Sequence, residues 1–179
     1  MSQIPSISDA FRTVVAATEA AIIADASINW GTLPKKVYFM HGHEKEIVNV
    51  LQSFTNASLP KYPLVCLFRD IKEEVSIQKF GLTPTFKCRL VICTLTTPSL
   101  RANDRETQNF KPILLPIFEQ LIRQLSRSSS FGMPAIEKMK IVKWDRYFWG
   151  TQAVDKNILT DYIDAVEIES ISLQLNNFC

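Results

Sequence analysis

The chain has few of the residues from which enzyme active sites are usually built. Its 179 residues include two histidines and five glycines, and no nucleophile is clustered with a base. The glycine-rich loops G-x-G-x-x-G and G-x-x-x-x-G-K-[ST], which cradle phosphates, are both missing from the sequence. The sequence therefore predicts a protein that is not an enzyme and carries no cofactor, and it disfavours the standard nucleotide-binding folds.

Long hydrophobic runs and a strong net charge are missing as well. No stretch approaches the ~20 apolar residues that cross a bilayer, and Met1 to Pro5 lack the basic and apolar regions of a secretion signal. The formal net charge of +2 gives little attraction to nucleic acid or to an anionic membrane. We therefore expect no membrane contact and a protein that stays where it is made.

The four cysteines form neither a C-x-x-C pair nor a dense disulfide framework. Cys66, Cys88 and Cys93 lie within apolar strand patterns, where a thiol usually behaves as a small buried hydrophobe. The sequence predicts that these three cysteines are buried and reduced.

What is present is the composition of a globular domain, with 46% hydrophobic and 21% charged residues. A single domain over residues 1–179 is expected. Helical and alternating periodicities follow one another in the order α-β-α-β-β-α-β-β, which predicts an α+β fold with one mixed, mainly antiparallel sheet and helices against it. Helices are predicted over 7–26, 44–54 and 111–127, and strands over 36–40, 62–69, 85–96, 140–149 and 162–175. Ser6 and Asp9 are placed as a capping pair for the first helix, whose predicted apolar face includes Phe11, Val15 and Ile22. The nearly continuous apolar run over 62–69 predicts a central strand, and Pro112 predicts an irregular start or a kink in the third helix.

The segments between these elements differ in character. Residues 70–84 make a link too long for a compact domain unless it forms an extended hairpin arm or a binding loop. It contains the apolar side chains of Val75, Ile77 and Phe80, which a solvated loop would not need. Residues 97–109 are polar and are predicted to be an exposed connection. Residues 126–139 are predicted to be a flexible loop.

The last strand changes phase near Ser170. Val166 and Ile168 alternate in one phase, whereas Ile171 and Leu173 continue in the other. Since side chains alternate with a period of two, this change predicts either a β-bulge or a strand that moves from one packing surface to another.

The segment from His41 to Glu46 is the candidate for a metal site. It holds two imidazoles and two carboxylates, but no further histidine exists to complete a zinc or iron site. The simpler interpretation is a strand-to-helix turn in which Glu44 and Glu46 favour the positive end of the helix dipole. We therefore predict no metal, while a small metal-dependent enzyme centred on His41 and His43 stays an alternative.

A metal-dependent nuclease is a second enzyme hypothesis. Asp70-Ile71-Lys72 supplies the D-x-K half of such a signature, but no aspartate lies between Asp25 and Asp70 to complete it. We therefore assign no catalytic residues.

Aromatic residues are concentrated near the end of the predicted strand 140–149. Tryptophan, tyrosine and arginine are enriched at interface hot spots because they bury a large area and keep a polar handle. Alternation turns about half of these side chains into the core; a neighbouring chain could cover the rest, and base stacking is less favoured by the small net charge. The predicted subunit interface combines this cluster with the 70–84 arm and consists of Val75, Ile77, Phe80, Trp144, Tyr147, Phe148 and Trp149.

Four segments carry a resemblance to a known group of proteins. They are Pro63-Leu64-Val65-Cys66-Leu67-Phe68, Arg89-Leu90-Val91-Ile92-Cys93, Lys111-Pro112-Ile113-Leu114-Leu115-Pro116-Ile117 and Asp164-Ala165-Val166-Glu167-Ile168-Glu169. With a leading helix, a long-armed central hairpin, a helix across the sheet and two closing strands, the chain resembles tail-completion and tail-terminator proteins of tailed phages and their neck-ring relatives. A ring protein from the tail barrel of a crAss-like phage fits the pattern equally.

The resemblance implies a virion structural protein, assembled in the host cytoplasm, whose copies form a ring in the neck or tail. Such a ring joins the head to the tail or terminates the tail tube, and DNA crosses its central channel in transit. Its partners would be further copies of itself and adjacent neck, portal or tail-tube proteins. A monomeric adaptor domain that binds one partner stays open as another alternative.

Overall fold

The computed structural model describes residues 6–31, 34–55, 61–78, 81–132, 141–149 and 162–176, but not the side chains of residues 52–55, 69, 70, 72–78, 81–84 and 175. Helices pack against one mixed, mostly antiparallel sheet, so the predicted α+β fold class is confirmed. The strands are β1 (Tyr38–Gly42), β2 (Leu64–Gln78), β3 (Gly81–Leu95), β4 (Phe131–Gly132), β5 (Val142–Arg146) and β6 (Ile163–Leu175). The helices are α1 (Ile7–Ala24), α2 (Glu44–Thr55), α3 (Ala102–Arg105), a π-helical segment (Glu106–Leu114) and α4 (Leu115–Arg127).

The sheet has the order β1-β2-β3-β6, and both β4 and β5 pair with the far edge of β6. β1 and β2 are parallel because the connection between them contains the helix α2. Every other pairing is antiparallel. β2, β3 and β6 therefore each have a strand on both sides, and the run from Leu64 to Phe68 in β2, which pairs with both β1 and β3, is apolar throughout.

A hydrophobic cluster lies on each face of the sheet. The larger one is formed with α1, the π-helical segment and α4, and it includes Phe11, Val65, Leu90 and Ile168. The smaller one is formed with α2 through Ile47 and Leu51. Cys88 belongs to the first cluster and Cys66 and Cys93 to the second, and all three thiols are buried and free, as predicted.

The helix α1 begins as the sequence predicted. The Ser6 hydroxyl accepts a hydrogen bond from the Asp9 backbone N–H at 3.2 Å and donates to the Asp9 carboxylate at 2.6 Å. Such a cap satisfies one of the unpaired N–H groups of the first turn and contributes about 1 kcal/mol. The predicted apolar face, which includes Phe11, Val15 and Ile22, is buried.

The phase change in β6 is a β-bulge. From Cys88 to Leu90 the partner on β6 moves from Ile171 to Ile168, so two steps on β3 match three on β6. The pairing with β5 shifts at the same place, between Ile168 and Ser170. Because of this extra residue, Ile168 and Ile171 face the same core cluster, and the prediction is confirmed.

The predicted exposed connection over 97–109 is wrong from Ala102 onwards. A helical segment starts there and runs through the π-helical segment into α4, so the helix predicted to start at 111 begins nine residues earlier. The sequence is polar here because Arg105 and Asn109 point inward and bind a buried carboxylate. Pro112, expected to produce irregularity, lies inside the π-helical segment.

Two predicted links contain regular structure. Over 126–139, Ser126 and Arg127 end α4, and Phe131 starts β4 with its ring buried 5.0 Å from that of Phe11; residues 133–140 lie outside the described ranges. Over 70–84, β2 and β3 pair continuously from Lys72–Lys87 to Gln78–Gly81. In the described residues, 70–78 and 81–84 are therefore strands of one hairpin, and 126–132 comprise the end of α4, a turn and the start of β4.

Candidate functional site

The aromatic residues near the end of β5 occupy three different environments. Trp149 is 8% exposed and lies in the smaller core cluster, with its ring centroid 6.1 Å from that of Phe68. Trp144 and Tyr147 are 48% and 43% exposed. Phe148 is partly buried and lies over the Arg105 guanidinium, 3.9 Å from the ring centroid. Two of the four side chains are thus free to meet another molecule.

Arg105 holds the turn that carries these residues. Its Nη1 donates to the Asp164 carboxylate at 2.6 Å and to the Thr96 hydroxyl at 2.9 Å. Its Nε and Nη2 donate to the backbone carbonyls of Leu100 and Thr97 at 3.0 and 2.8 Å. A buried guanidinium needs such saturation, because an unpaired buried charge is strongly unfavourable.

Asp164 completes this buried cluster from the start of β6. Its second carboxylate oxygen accepts from the Asn109 amide at 2.8 Å, and the backbone N–H of Phe148 donates to its first at 3.4 Å. Phe148 has a positive φ of 51°, which is uncommon for a bulky residue and is held by these surroundings. The Arg105–Asp164 pair therefore fixes the 147–149 turn to the end of the sheet.

Tyr147 projects from this turn beside the helical segment. Its ring meets Phe110 edge-on at 5.5 Å, and its hydroxyl lies 3.5 Å from a carboxylate oxygen of Glu106. Partial burial, and then the nearby negative charge of Glu106, raise the pKa of the Tyr147 hydroxyl above its usual value. The phenol thus stays protonated over the ordinary pH range and can donate a hydrogen bond.

The exposed apolar side chains nearby gather at the same end of the sheet. Leu95, which is 52% exposed, pairs with Ile163 at the end of β3 and β6, and Tyr162, which is 45% exposed, directly precedes Ile163. Tyr162 meets Phe148 edge-on at 5.8 Å. We call Leu95, Tyr147, Phe148 and Tyr162 the aromatic end. It presents large apolar side chains on a backbone that Arg105 and Asp164 make rigid.

A row of alternating charges crosses the α2 face of the sheet. The buried Glu167 carboxylate accepts from Nε of Arg89 at 2.7 Å and from Nε of Arg146 at 2.8 Å. Arg89 also pairs with Glu44 at 3.4 Å. At the β5 edge, the Arg146 guanidinium lies 5.1 Å from the Trp144 ring centroid. The row binds α2, β3, β6 and β5 together and orients Trp144.

A hydrogen bond to β6 also orients Trp144. Its indole N–H donates to the Glu169 carboxylate at 2.9 Å, and Glu169 lies at the bulge of β6. The bulge therefore places a carboxylate where it orients an exposed tryptophan on the outer strand.

Of the other predicted interface residues, Val75 and Ile77 lie at the opposite end of the strands. Val75 and Ile77 pair through their backbones with Pro84 and Leu82, near the tip of the β2–β3 hairpin. Their side chains and the whole of Phe80 lie outside the described part of the chain. The structure thus does not bring the hairpin tip and the aromatic end together within one subunit.

The segment from His41 to Glu46 forms a strand-to-helix turn. Glu46 accepts a hydrogen bond from the His43 backbone N–H at 3.0 Å and caps α2, whereas Glu44 pairs with Arg89. Both glutamates lie in the first turn of α2, at the positive end of the helix dipole as predicted, and Glu46 in addition caps the helix. Nδ1 of His43 accepts from the Lys45 backbone N–H at 3.2 Å.

Neither enzyme hypothesis gains a site from the described residues. Among them, no group of three or more histidine, cysteine, aspartate or glutamate side chains lies close enough to hold a metal ion. The side chains of Asp70 and Lys72 fall outside the description, so the D-x-K hypothesis is not placed.

Sequence reasoning missed the buried cluster around Arg105. A signal was present in Asp164, a carboxylate between Ile163 and Ala165 at the start of a strand whose neighbouring residues are apolar. A charged residue in such a position needs a buried partner, but its identity depends on the tertiary fold.

Comparisons of the sequence with known proteins do not assign the chain to a family. In the described part of the chain, none of the helices is long and apolar enough to cross a bilayer. No protein-family model and no curated protein matches the sequence.

Proposed function

We propose that the chain is a non-enzymatic assembly subunit of a tailed-phage virion. Its copies join head to tail into a closed ring in the neck or tail, next to portal, neck or tail-tube proteins, and DNA crosses the central channel in transit. The observation that carries this proposal is the presence of two different contact surfaces at opposite ends of one long sheet. They are the tip of the β2–β3 hairpin and the aromatic end.

The hairpin tip extends past its neighbours. β2 and β3 are 15 residues each, about three times the usual strand length. β1 stops pairing with β2 at Phe68, and β6 stops pairing with β3 at Thr85. Residues 75–78 and 81–84 thus form a two-stranded end that has no further strand beside it in the described structure. Two strands are marginally stable by themselves, which favours a neighbouring molecule.

The aromatic end supplies the second surface. Tyrosine beside aliphatic side chains is typical of the buried centre of protein interfaces. The rigid turn lowers the entropy lost when this surface is covered. Since the two surfaces are different, contact between them is heterologous, and a heterologous contact that closes on itself gives a ring.

Light scattering coupled to size-exclusion chromatography tests the proposal. We expect a single species whose mass is a multiple of the 20.4 kDa chain and which appears as a ring with a central hole in electron micrographs. A monomer at every concentration would contradict the ring and favour a monomeric adaptor.

Two variants test the two surfaces. Deleting residues 75–78 together with 81–84 shortens the hairpin without changing its pairing, because the removed residues face each other. Tyr162→Ser weakens the aromatic end, and Ile23→Ser is its matched control, because Ile23 is 57% exposed on α1. We expect the deletion and Tyr162→Ser to give smaller species and the control to keep the ring. A ring that survives both changes would exclude these surfaces.

A further inference from the structure

A groove of about 510 Å³ lies between the loop that follows α1 and one face of the π-helical segment and α4. This volume falls in the range of small-molecule sites. The lining contains Asp25 from the loop side and Lys111, Glu119, Gln120 and Arg123 from the helical side. The groove is separate from the aromatic end and from the charged row described above.

Gln120 is the buried polar group of this groove. Its side chain is 9% exposed, and it makes no hydrogen bond within the described structure. Gln120 lines the groove, and its amide atoms are not among the fully enclosed unpaired atoms of the described side chains, which are Nε1 of Trp30 and Nδ1 of His41. An amide that makes no hydrogen bond within the chain can pair with a bound group that supplies both an acceptor and a donor.

The helical wall offers further acceptors. Pro112 and Pro116 both line the groove and have no backbone N–H. The carbonyls one turn earlier therefore lose their helical donors. The Leu115 N–H bonds to the Phe110 carbonyl with the wide π spacing, which leaves this part of the helix irregular.

The charges around the groove are balanced. Asp25 and Glu119 contribute two carboxylates, and Lys111 and Arg123 contribute two cations. None of Lys111, Glu119 and Arg123 forms an ion pair in the described part of the chain. Asp25 accepts from the Ser27 hydroxyl at 2.6 Å and its N–H at 2.9 Å, and these hydrogen bonds lower the pKa of its carboxyl group. The carboxylates disfavour phosphates and nucleotides, and the cations disfavour a metal ion.

We propose that this groove binds a small zwitterion that carries an amide group, such as a free amino acid with an amide side chain or a dipeptide. The amide of the ligand pairs with the Gln120 amide, its carboxylate lies at Lys111 or Arg123, and its ammonium group lies at Glu119 or Asp25. This site does not depend on ring formation, because its described lining lies within one subunit.

Ligand-observed saturation-transfer NMR on the full chain tests the site, with L-glutamine and glycylglycine as probes. We expect saturable binding of both. The singly charged ions acetate and methylammonium bind at least about tenfold more weakly, because each lacks one of the paired contacts. No saturable binding of either zwitterion, or equal binding of the single ions, would overturn the proposal.

Two variants locate the site. Gln120→Met keeps the side-chain length and removes the amide, and we expect it to raise the Kd about tenfold. Gln124→Met is the matched control on the same helix outside the groove, and it leaves the Kd unchanged. Should Gln120→Met fail to fold, a variant that combines Lys111→Gln and Arg123→Gln on the exposed rim should raise the Kd in the same way, because the ligand carboxylate then has no cation to pair with. An unchanged Kd in whichever of these two groove variants folds would overturn the assignment.

Discussion

The guanidinium of Arg105 and the carboxylate of Asp164 form a buried ion pair, with Nη1 2.6 Å from Oδ1 and side chains 2% and 0% exposed. Removing one member leaves the other charge buried without compensation. We therefore expect Arg105→Leu to lower the free energy of unfolding by about 3–5 kcal/mol, measured by urea denaturation.

The Asp164→Asn variant and the double variant complete a thermodynamic cycle for this pair. Because the two side chains are in direct contact, the double variant should cost less than the sum of the single variants. Additive effects would show that the pair is not coupled.

The two glutamates at the start of α2 should differ in their effects on stability. Glu46 caps the helix through the His43 N–H, whereas Glu44 makes a partly exposed ion pair with Arg89. Glu46→Ala should cost about 1 kcal/mol, and Glu44→Ala should cost less, because exposed pairs contribute little. Thermal unfolding measures both, and a larger effect at Glu44 would contradict the capping role.

The buried thiols should be inert in the folded protein. Burial raises the pKa of Cys88 to about 12, so its thiolate is scarce at neutral pH. We expect Cys66, Cys88 and Cys93 to react with a thiol reagent at pH 8 after unfolding in denaturant, but not before. Cys179→Ser removes the remaining cysteine from the measurement, and fast labelling of this variant in the native state would contradict the burial.

Stability should fall at high pH through the same thiol. In the unfolded chain the Cys88 thiol ionises at its ordinary pKa of 9.0, whereas in the folded chain it ionises at about 12. The unfolded state is therefore stabilised by ionisation as the pH rises above 9, and the folded state loses relative stability until the pH reaches about 12. Replacing Cys88 by Ala should flatten this dependence. An equally steep fall in the variant would assign it to other groups.

Tyr147 should ionise at a higher pH than a free tyrosine, because of partial burial first and Glu106 second. Glu106→Gln should lower this pKa without bringing it fully to the ordinary value, since burial remains. Absorbance at alkaline pH, compared with a Tyr147→Phe reference, gives the titration. A pKa unchanged by Glu106→Gln would exclude the electrostatic contribution.

Metal analysis tests the alternative centred on His41 and His43. We expect purified protein to contain no stoichiometric zinc, manganese or iron, because Nδ1 of His43 already accepts a hydrogen bond from the Lys45 N–H. One equivalent of metal that is lost in a His41→Ala variant would support an enzyme instead.

Local signals in the sequence predicted several features correctly. The capping pair of Ser6 and Asp9 predicted the start of α1, and the phase change at Ser170 predicted the bulge. Both features depend on residues that are only a few positions apart in the sequence. The apolar sequence around Cys66 predicted a central strand for the same reason. Such patterns carry their information in spacing along the chain.

The polar segment 97–109 could not be interpreted in this way. Its composition is typical of an exposed link, yet Arg105 is buried 59 positions away from its partner Asp164 in sequence. The arrangement of Tyr147, Phe148 and Trp149 was equally hidden, because strand β5 ends at Arg146 and these three residues form a turn. Alternation along a strand therefore did not apply to them.

Composition and periodicity thus determined the fold class, the main helices and strands, and the burial of Cys66, Cys88 and Cys93. These features follow from how each residue partitions between water and a nearby apolar face. The tertiary structure decided which charges are buried together, which aromatic side chains stay exposed, and where Gln120 opens into a groove. Those outcomes depend on contacts between residues far apart in the chain, and no local pattern encodes the distances that join them.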